Sequence, residues 1–217
     1  MPAAAAQTAL VPGHPDLAAP PPQSFAFVVT MEGTPPRVIG TQTQTETVDG
    51  DRLTIVSRVD VAMAREQHTD TLVVAWPSLA PLAHSVHGAE TSLQLSYAGG
   101  RVAGRSVLGN LDEPVDAALP AGVFGPGSGA RLARSLPFAL GYAATFQTVD
   151  AHGYAAEGRL RVAEHLPQPD VDLWSVEVAA PGSYPVLYFV DAATREIVGA
   201  TVRPTPSTVV VLGPASD

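Results

Sequence analysis

The amino-acid sequence predicts an all-β protein. Its expected form is a strongly curved antiparallel sheet of about a dozen strands, half-barrel or barrel-like, wrapped around one short helix. Three observations carry this. Short runs alternate apolar and polar residues, each bounded by Gly, Pro, Asn or Asp. The connections are of hairpin length, and nothing alternates strand with helix as a parallel α/β fold would. One stretch, Leu119 to Tyr142 (LPAGVFGPGSGARLARSLPFALGY), breaks the rhythm with a glycine-proline loop, a short amphipathic helix and a proline stop.

Residues 1–23 are rich in Ala and Pro and include Pro20-Pro21-Pro22, so they read as a disordered, semi-extended tail before a single β domain over 24–212. The tail has no basic n-region and no apolar h-region, so it does not read as an intact signal peptide. It fits either a tether left by a removed signal or anchor, or an ordinary N-terminus. Ser24 to Met31 (SFAFVVTM) is the first strand and Gly33-Thr34-Pro35-Pro36 turns it. Arg37 to Val48 follows, with Thr41, Thr43, Thr45 and Thr47 on one face and Gln42, Gln44 and Glu46 on the other. Arg52 to Ala64 puts Leu53, Ile55, Val59, Val61 and Met63 on its apolar face. A two-residue Asp49-Gly50 loop sets Glu46 and Gln44 against Leu53 and Ile55; a three-residue loop ending at Asp51 sets Thr47 and Thr45 there. Threonine methyl groups suit apolar neighbours better, so the longer loop is expected, with Gly50 near the left-handed region.

Gln67 to Trp76 and Leu82 to Ala89 form the next pair around Pro77-Ser78-Leu79-Ala80-Pro81. Thr91 to Ala98 and Arg101 to Leu108 join at Gly99-Gly100. A two-residue turn pairs Tyr97 with Val102 and Gln94 with Arg105, with Leu93, Leu95 and Tyr97 inward. The segment after Asn110 is expected to be non-β, its Asp112, Glu113 and Asp116 a solvated acidic loop. Ser128 is positioned to cap a helix from Gly129, whose Leu132 and Leu136 form one apolar edge, with Arg131 and Arg134 elsewhere. Pro137 ends it. So short a helix cannot stand alone in water, so it must dock, with Val123, Phe124, Phe138 and Leu140 as anchors. Gly141 to Val149, Tyr154 to Glu164, Asp172 to Ala179, Pro185 to Val190 and Glu196 to Arg203 read as strands. Tyr154, Gly158, Leu160 and Val162 should face one way, and Trp174, Val176 and Val178 inward with Ser175 outward. Pro185 to Val190 is apolar on both faces, so both should be covered. Thr208 to Leu212 is compatible with a last strand or with a tail.

Bulk chemistry narrows function. A formal charge of -9 argues against nucleic acid, and all 12 basic residues are Arg. No apolar run approaches the roughly 18 residues needed to cross a bilayer as a helix, so an integral membrane protein is not expected. Cysteine is absent, which removes disulfides and thiolate sites. No metal site or cofactor is expected: His84 and His87 point to opposite strand faces, while His68 and Asp70 share a face that the Trp76–Leu82 turn brings near His87 or Gly88. No GxSxG or GxxxxGK motif occurs, and the carboxylates are spread over outward faces, so an enzyme is not expected.

Several segments resemble a family: Thr69-Asp70-Thr71-Leu72 with Leu79-Ala80-Pro81-Leu82, YAGGRVAGR from Tyr97, LPFALGYAATF from Leu136, WSVEV from Trp174 and YFVDAATREIVGA from Tyr188. The chain is similar in these to an uncharacterised bacterial exported domain family, domain of unknown function 3108, whose fold is like the LolA and LolB lipoprotein carriers. The resemblance implies a half-barrel around a short helical element and an exported, periplasmic or envelope-associated location, and it carries over no catalytic residue. In LolA and LolB the concave face binds acyl chains.

Two readings follow. The first is a non-enzymatic binding module holding a lipid-like or other apolar ligand on the concave sheet, lined by Leu132, Leu136, Phe124, Phe138, Tyr97, Phe146, Trp174 and Tyr188. The second is a structural or interaction domain with a filled core, docking an envelope protein at an exposed edge.

Overall fold

Through most of each half the chain lays each strand down beside its predecessor, because the connections between strands are short. The computed structural model describes residues 8–9, 22–61, 66–150, 154–180 and 182–214. The elements are β1 (Thr8–Ala9), β2 (Gln23–Met31), β3 (Arg37–Asp49), β4 (Arg52–Val61), β5 (Glu66–Ala75), β6 (Pro81–Gly88), β7 (Thr91–Ala98), β8 (Arg101–Leu108), β9 (Leu111–Ala118), α1 (Gly129–Ser135), β10 (Ala143–Val149), β11 (Ala155–Pro167), β12 (Asp172–Ala179), β13 (Val186–Asp191), β14 (Ile197–Thr205) and β15 (Thr208–Pro214). They form one curved, unclosed sheet in the order β1-β10-β11-β12-β13-β14-β15-β2-β3-β4-β5-β6-β7-β8-β9. β2 to β15 pair antiparallel; Thr8 and Ala9 pair parallel with Ala144 and Thr145. The all-β class, the curvature and the single helix are those the sequence predicts. The tail expected over 1–23 otherwise lies outside the described residues up to residue 21, as does Met63.

The order has a physical consequence. β9 and β10 are consecutive in the chain yet lie at opposite ends of the antiparallel array, so the barrel is cut between them. The Leu119–Tyr142 segment spans the cut. The Leu119 N–H donates to Gly100 O at 2.7 Å beside the β7–β8 hairpin, and the Phe124 N–H donates to Gln147 O at 2.8 Å on β10. The two halves join at the opposite side through the last strand: β15 pairs with β14 on one flank and with β2 on the other. Thr208 to Pro214 is therefore a central strand and not a tail. Bulges at Phe27/Val28, Val73/Val74, Val162/Glu164 and Phe189/Val190 supply local bending.

α1 sits inside. Leu132, Ala133 and Leu136 pack with Leu53, Leu72 and Val74 from one wall and Val176, Val178 and Val190 from the other. Each buried aliphatic side chain contributes about 1.5–3 kcal/mol. A second cluster, Leu93, Leu95, Tyr97, Val102, Val115, Val123 and Val149, fills the end beneath β7 to β10.

Several expectations are corrected. The β3–β4 turn is neither loop considered: Asp49 pairs with Arg52 and Val48 with Leu53, leaving Gly50-Asp51 as the turn. Gly50 does take positive φ, 58°. This register puts Glu46 opposite Ile55 and Gln44 opposite Ser57, so the Gln/Glu face is the inner one. The reason lies in the helix: Arg131 reaches Glu46 from inside the barrel. The acidic segment after Asn110 is β9, where Asp112 and Asp116 pair with Arg105 and Arg101 on β8, each with a contact of 2.5 Å. Ser128 stands at the helix N-terminus but makes no side-chain cap bond, because its backbone is already helical (φ -66°, ψ -8°) rather than extended. Arg131 and Arg134 are buried, Leu140 and Tyr154 are exposed, and Ser175 is fully buried. Pro185 to Val190 is only half-covered: of β13 only Val190 is buried.

Candidate functional site

Opposed residues of an antiparallel pair share a face, so the register of β2 to β5 dictates what lines the concave side. One row across the sheet reads Gln23, Gln44, Ser57 and Asp70; the next reads Phe25, Gln42, Val59 and His68. Opposite them, β13 to β15 present Val186, Tyr188, Ala200, Val202 and Leu212. Between these walls and the start of the helix (Pro126, Gly127, Ala130, Arg131) lies a cavity of about 380 Å³. That is within the range of about 300–1,000 Å³ common for small-molecule sites, and such sites are mostly apolar with a few placed polar groups.

The helix is pinned over this cavity by a buried ionic cluster. Glu46 accepts from the Arg131 Nη2 group, from Gln44 Nε2 at 3.0 Å, and has Arg134 Nη1 at 3.5 Å. The Arg131 guanidinium lies 5.1 Å from the centroid of the Trp76 ring, a cation–π contact. Burial pulls the Arg131 pKa down to about 10 although Glu46 favours the cation; Arg134 is lowered for the same reason. Arg131 Nε and Nη1 and the hydroxyl of Tyr97 are buried without a hydrogen-bond partner among the described residues.

The helix C-terminus is latched separately. Arg195 donates from Nη1 to Leu136 O at 2.7 Å, its own carbonyl accepts from Arg134 Nε at 2.5 Å, and its guanidinium lies 4.0 Å from the Phe138 ring centroid. Phe138 stacks on Trp174, whose ring centroid also lies 4.2 Å from that of His165.

At the polar wall, Asp70 pairs with His84, Nε2 to Oδ1 at 3.0 Å. The sequence directs Asp70 toward His87 or Gly88. The register instead sets Asp70 opposite Val86, with His84 one inward position away and His87 facing out. Nε2–H therefore donates to the carboxylate and Nδ1 is left buried without a partner. Burial, with the Asp70 charge nearby, raises the Tyr97 phenol well above its usual range; burial alone pushes Tyr188 up to about 12. Among the described residues no cluster of His, Asp and Glu has the arrangement of a metal site.

Of the eight side chains assigned to a ligand by sequence, only Tyr188 lines the cavity. Leu132, Leu136, Phe124 and Phe146 are packed in the main core, and Tyr97 is in the second cluster. Phe138 and Trp174 stack on each other near the helix C-terminus. They hold the plug instead of lining the space beneath it. Gln42, Gln44, Glu46, Ser57 and Arg131, which sequence reasoning did not assign to a site, do line it. The available signal was two arginines in a helix that must dock, since a buried guanidinium requires a carboxylate facing it.

No protein-family profile matches the chain, and no curated protein matches it in sequence. In fold it is similar to a crystal structure of a β-barrel-like protein of the domain of unknown function DUF1849 from Brucella abortus. The TM-score is 0.53 at 10% identity, over 96% of this chain and 98% of that one. At that identity the likeness is one of fold. It supports an uncharacterised β-barrel-like domain and does not extend to domain of unknown function 3108 or to LolA and LolB.

Proposed function

We propose that the protein is a non-enzymatic binding module that holds a lipid-like ligand in the cavity beneath α1, working in the bacterial envelope. The observation that carries this is the cavity itself: about 380 Å³ of space stays unfilled although the neighbouring clusters are tightly packed. Its walls divide into an apolar side on β13 to β15 and a polar side on β3 to β5, which suits an amphipath. The envelope location and the kinship with exported LolA/LolB-like carriers rest on the sequence motifs from Thr69 to Ala200. A non-enzymatic role is supported by the Asp70–His84 pair, in which one ring nitrogen is spent on the carboxylate and the other is buried. The nitrogen that keeps its lone pair, Nδ1, is buried, and His84 is not among the residues lining the cavity, so this imidazole is not placed to act as a base on a ligand there.

The test is native mass spectrometry of protein purified without detergent, with Ser57→Trp as the blocked form. A co-purifying acyl ligand lost in the variant supports the module. Ligand-free protein that also takes up no added amphipath favours the structural alternative, a domain docking partners at its exposed edge. Charged replacements of Leu132 or Leu136 are unsuited to this test, because both are buried in the core.

A further inference from the structure

Among the described residues, the polar wall carries an accessible carboxylate. Asp70 lines the cavity, its side chain is 39% exposed, and its one hydrogen-bond partner among the described residues is His84 behind it. Ser57 stands directly opposite Asp70 in the register, and Gln44 opposite Ser57, so acceptor oxygens continue along the row. The cation at the cavity, Arg131, presents nothing comparable. Its side chain is 2% exposed, it is paired with Glu46, and its Nε and Nη1 are buried. An incoming anion would face the Asp70 carboxylate, and the donors it would meet on that wall are the amides of Gln23 and Gln42, the Ser57 hydroxyl and the His68 ring rather than a guanidinium. A head group with N–H or O–H donors would find an exposed acceptor, and a cationic one would gain a charge-assisted bond as well. The apolar wall of Val186, Val202 and Leu212 across the cavity accommodates the tail.

We propose that Asp70 is the head-group anchor of this cavity and selects amphipaths carrying an ammonium or amino group over those carrying a carboxylate. This rests on reading the cavity as a ligand site. The test is calorimetric titration of the full chain at neutral pH with decylammonium, decanol and decanoate below their aggregation thresholds, repeated with Asp70→Asn. Decylammonium should bind at least about tenfold more tightly than decanoate, the scale of one charge-assisted hydrogen bond. Asp70→Asn should bring that ratio toward unity while decanol, which keeps an amide acceptor there, weakens less than decylammonium, and a thermal unfolding transition near that of the unmodified chain reports that the variant is folded. Decanoate binding as tightly as decylammonium, or a preference that survives Asp70→Asn, overturns the anchor and leaves the binding module standing. Failure of all three probes overturns both. If the variant does not fold, the ranking in the unmodified chain decides by itself.

Discussion

Glu46 and Arg131 show how much one buried pair directs. Neither side chain is more than 3% exposed, and they come from positions 85 residues apart. Removing one partner of such a pair typically costs about 3–5 kcal/mol, because the other charge stays buried without compensation. Glu46→Ala should therefore lower stability by that order in urea unfolding. The double replacement Glu46→Leu with Arg131→Met should recover much of the loss, since an apolar pair carries no desolvation cost. A second residue-scale expectation concerns alkaline pH. Tyr188 titrates near 12 in the fold against 10.0 unperturbed, so between those values the unfolded chain has lost the proton that the folded chain retains. Its stabilising contribution is complete below pH 10.0 and is lost as the pH rises toward 12. Tyr188→Phe should remove up to about 2–3 kcal/mol of that alkaline loss, read from unfolding midpoints across the window.

At the scale of elements, the helix is a plug fastened at both ends, and its short length is compensated by tertiary bonds. Arg195 adopts φ 60°, a left-handed value that is uncommon for a residue with a side chain. Arg195→Gly keeps that backbone conformation comfortable while deleting the latch to Leu136. Hydrogen exchange should then accelerate at the end of α1, with a stability loss smaller than that of Arg195→Ala, which loses the latch and keeps the strain. The strands have their own tight points. A Cβ on Gly104 would run into the carbonyl of Gln94 on β7, and one on Gly40 into that of Asp60 on β4. Gly104→Ala should destabilise by about 1–3 kcal/mol, as other overpacking changes do, whereas Gly213→Ala, with open space around it, should not. The hairpins at Gly99-Gly100 and Gly50-Asp51 differ in how readily they are read. The first has matching apolar and polar faces on both strands, so turn and pattern agree. The second joins a strand of alternating Thr and Gln/Glu, in which neither face is apolar, so the pattern offers no way to choose its inner side.

For the whole molecule the decisive feature is where the sheet is joined and where it is open. β15 is the only strand linking the two halves among the described residues. A chain truncated after residue 207 should lose cooperative thermal unfolding, since β2 and β14 would each become an unpaired edge. The opening between β9 and β10 is spanned by the segment that carries the helix, so the plug is a covalent consequence of the topology. The cavity then follows from what the plug leaves unfilled: α1 seals the centre with Leu132 and Leu136, and the space under its N-terminus remains.

Local periodicity and turn chemistry determined most of the strands, their antiparallel order, the single helix and its proline stop, because these depend on neighbours a few residues apart. The register of the Gly99-Gly100 hairpin was legible for the same reason. Only the tertiary structure decided which face of β3 points inward, because the partner that stabilises Glu46 there is on a distant helix. It likewise decided that Thr208 to Pro214 closes the two halves together and that the acidic run Asp112 to Asp116 is a strand held by Arg101 and Arg105. The candidate site belongs to this second group. Its row of Gln23, Gln44, Ser57 and Asp70 comes from four strands, and no local sequence signal aligns four strands in register. The Leu119–Tyr142 segment was legible as a cover; that its buried apolar side chains fill the core, while the cavity is lined by polar residues of β2 to β5 and apolar residues of β13 to β15, is a property of the assembled barrel.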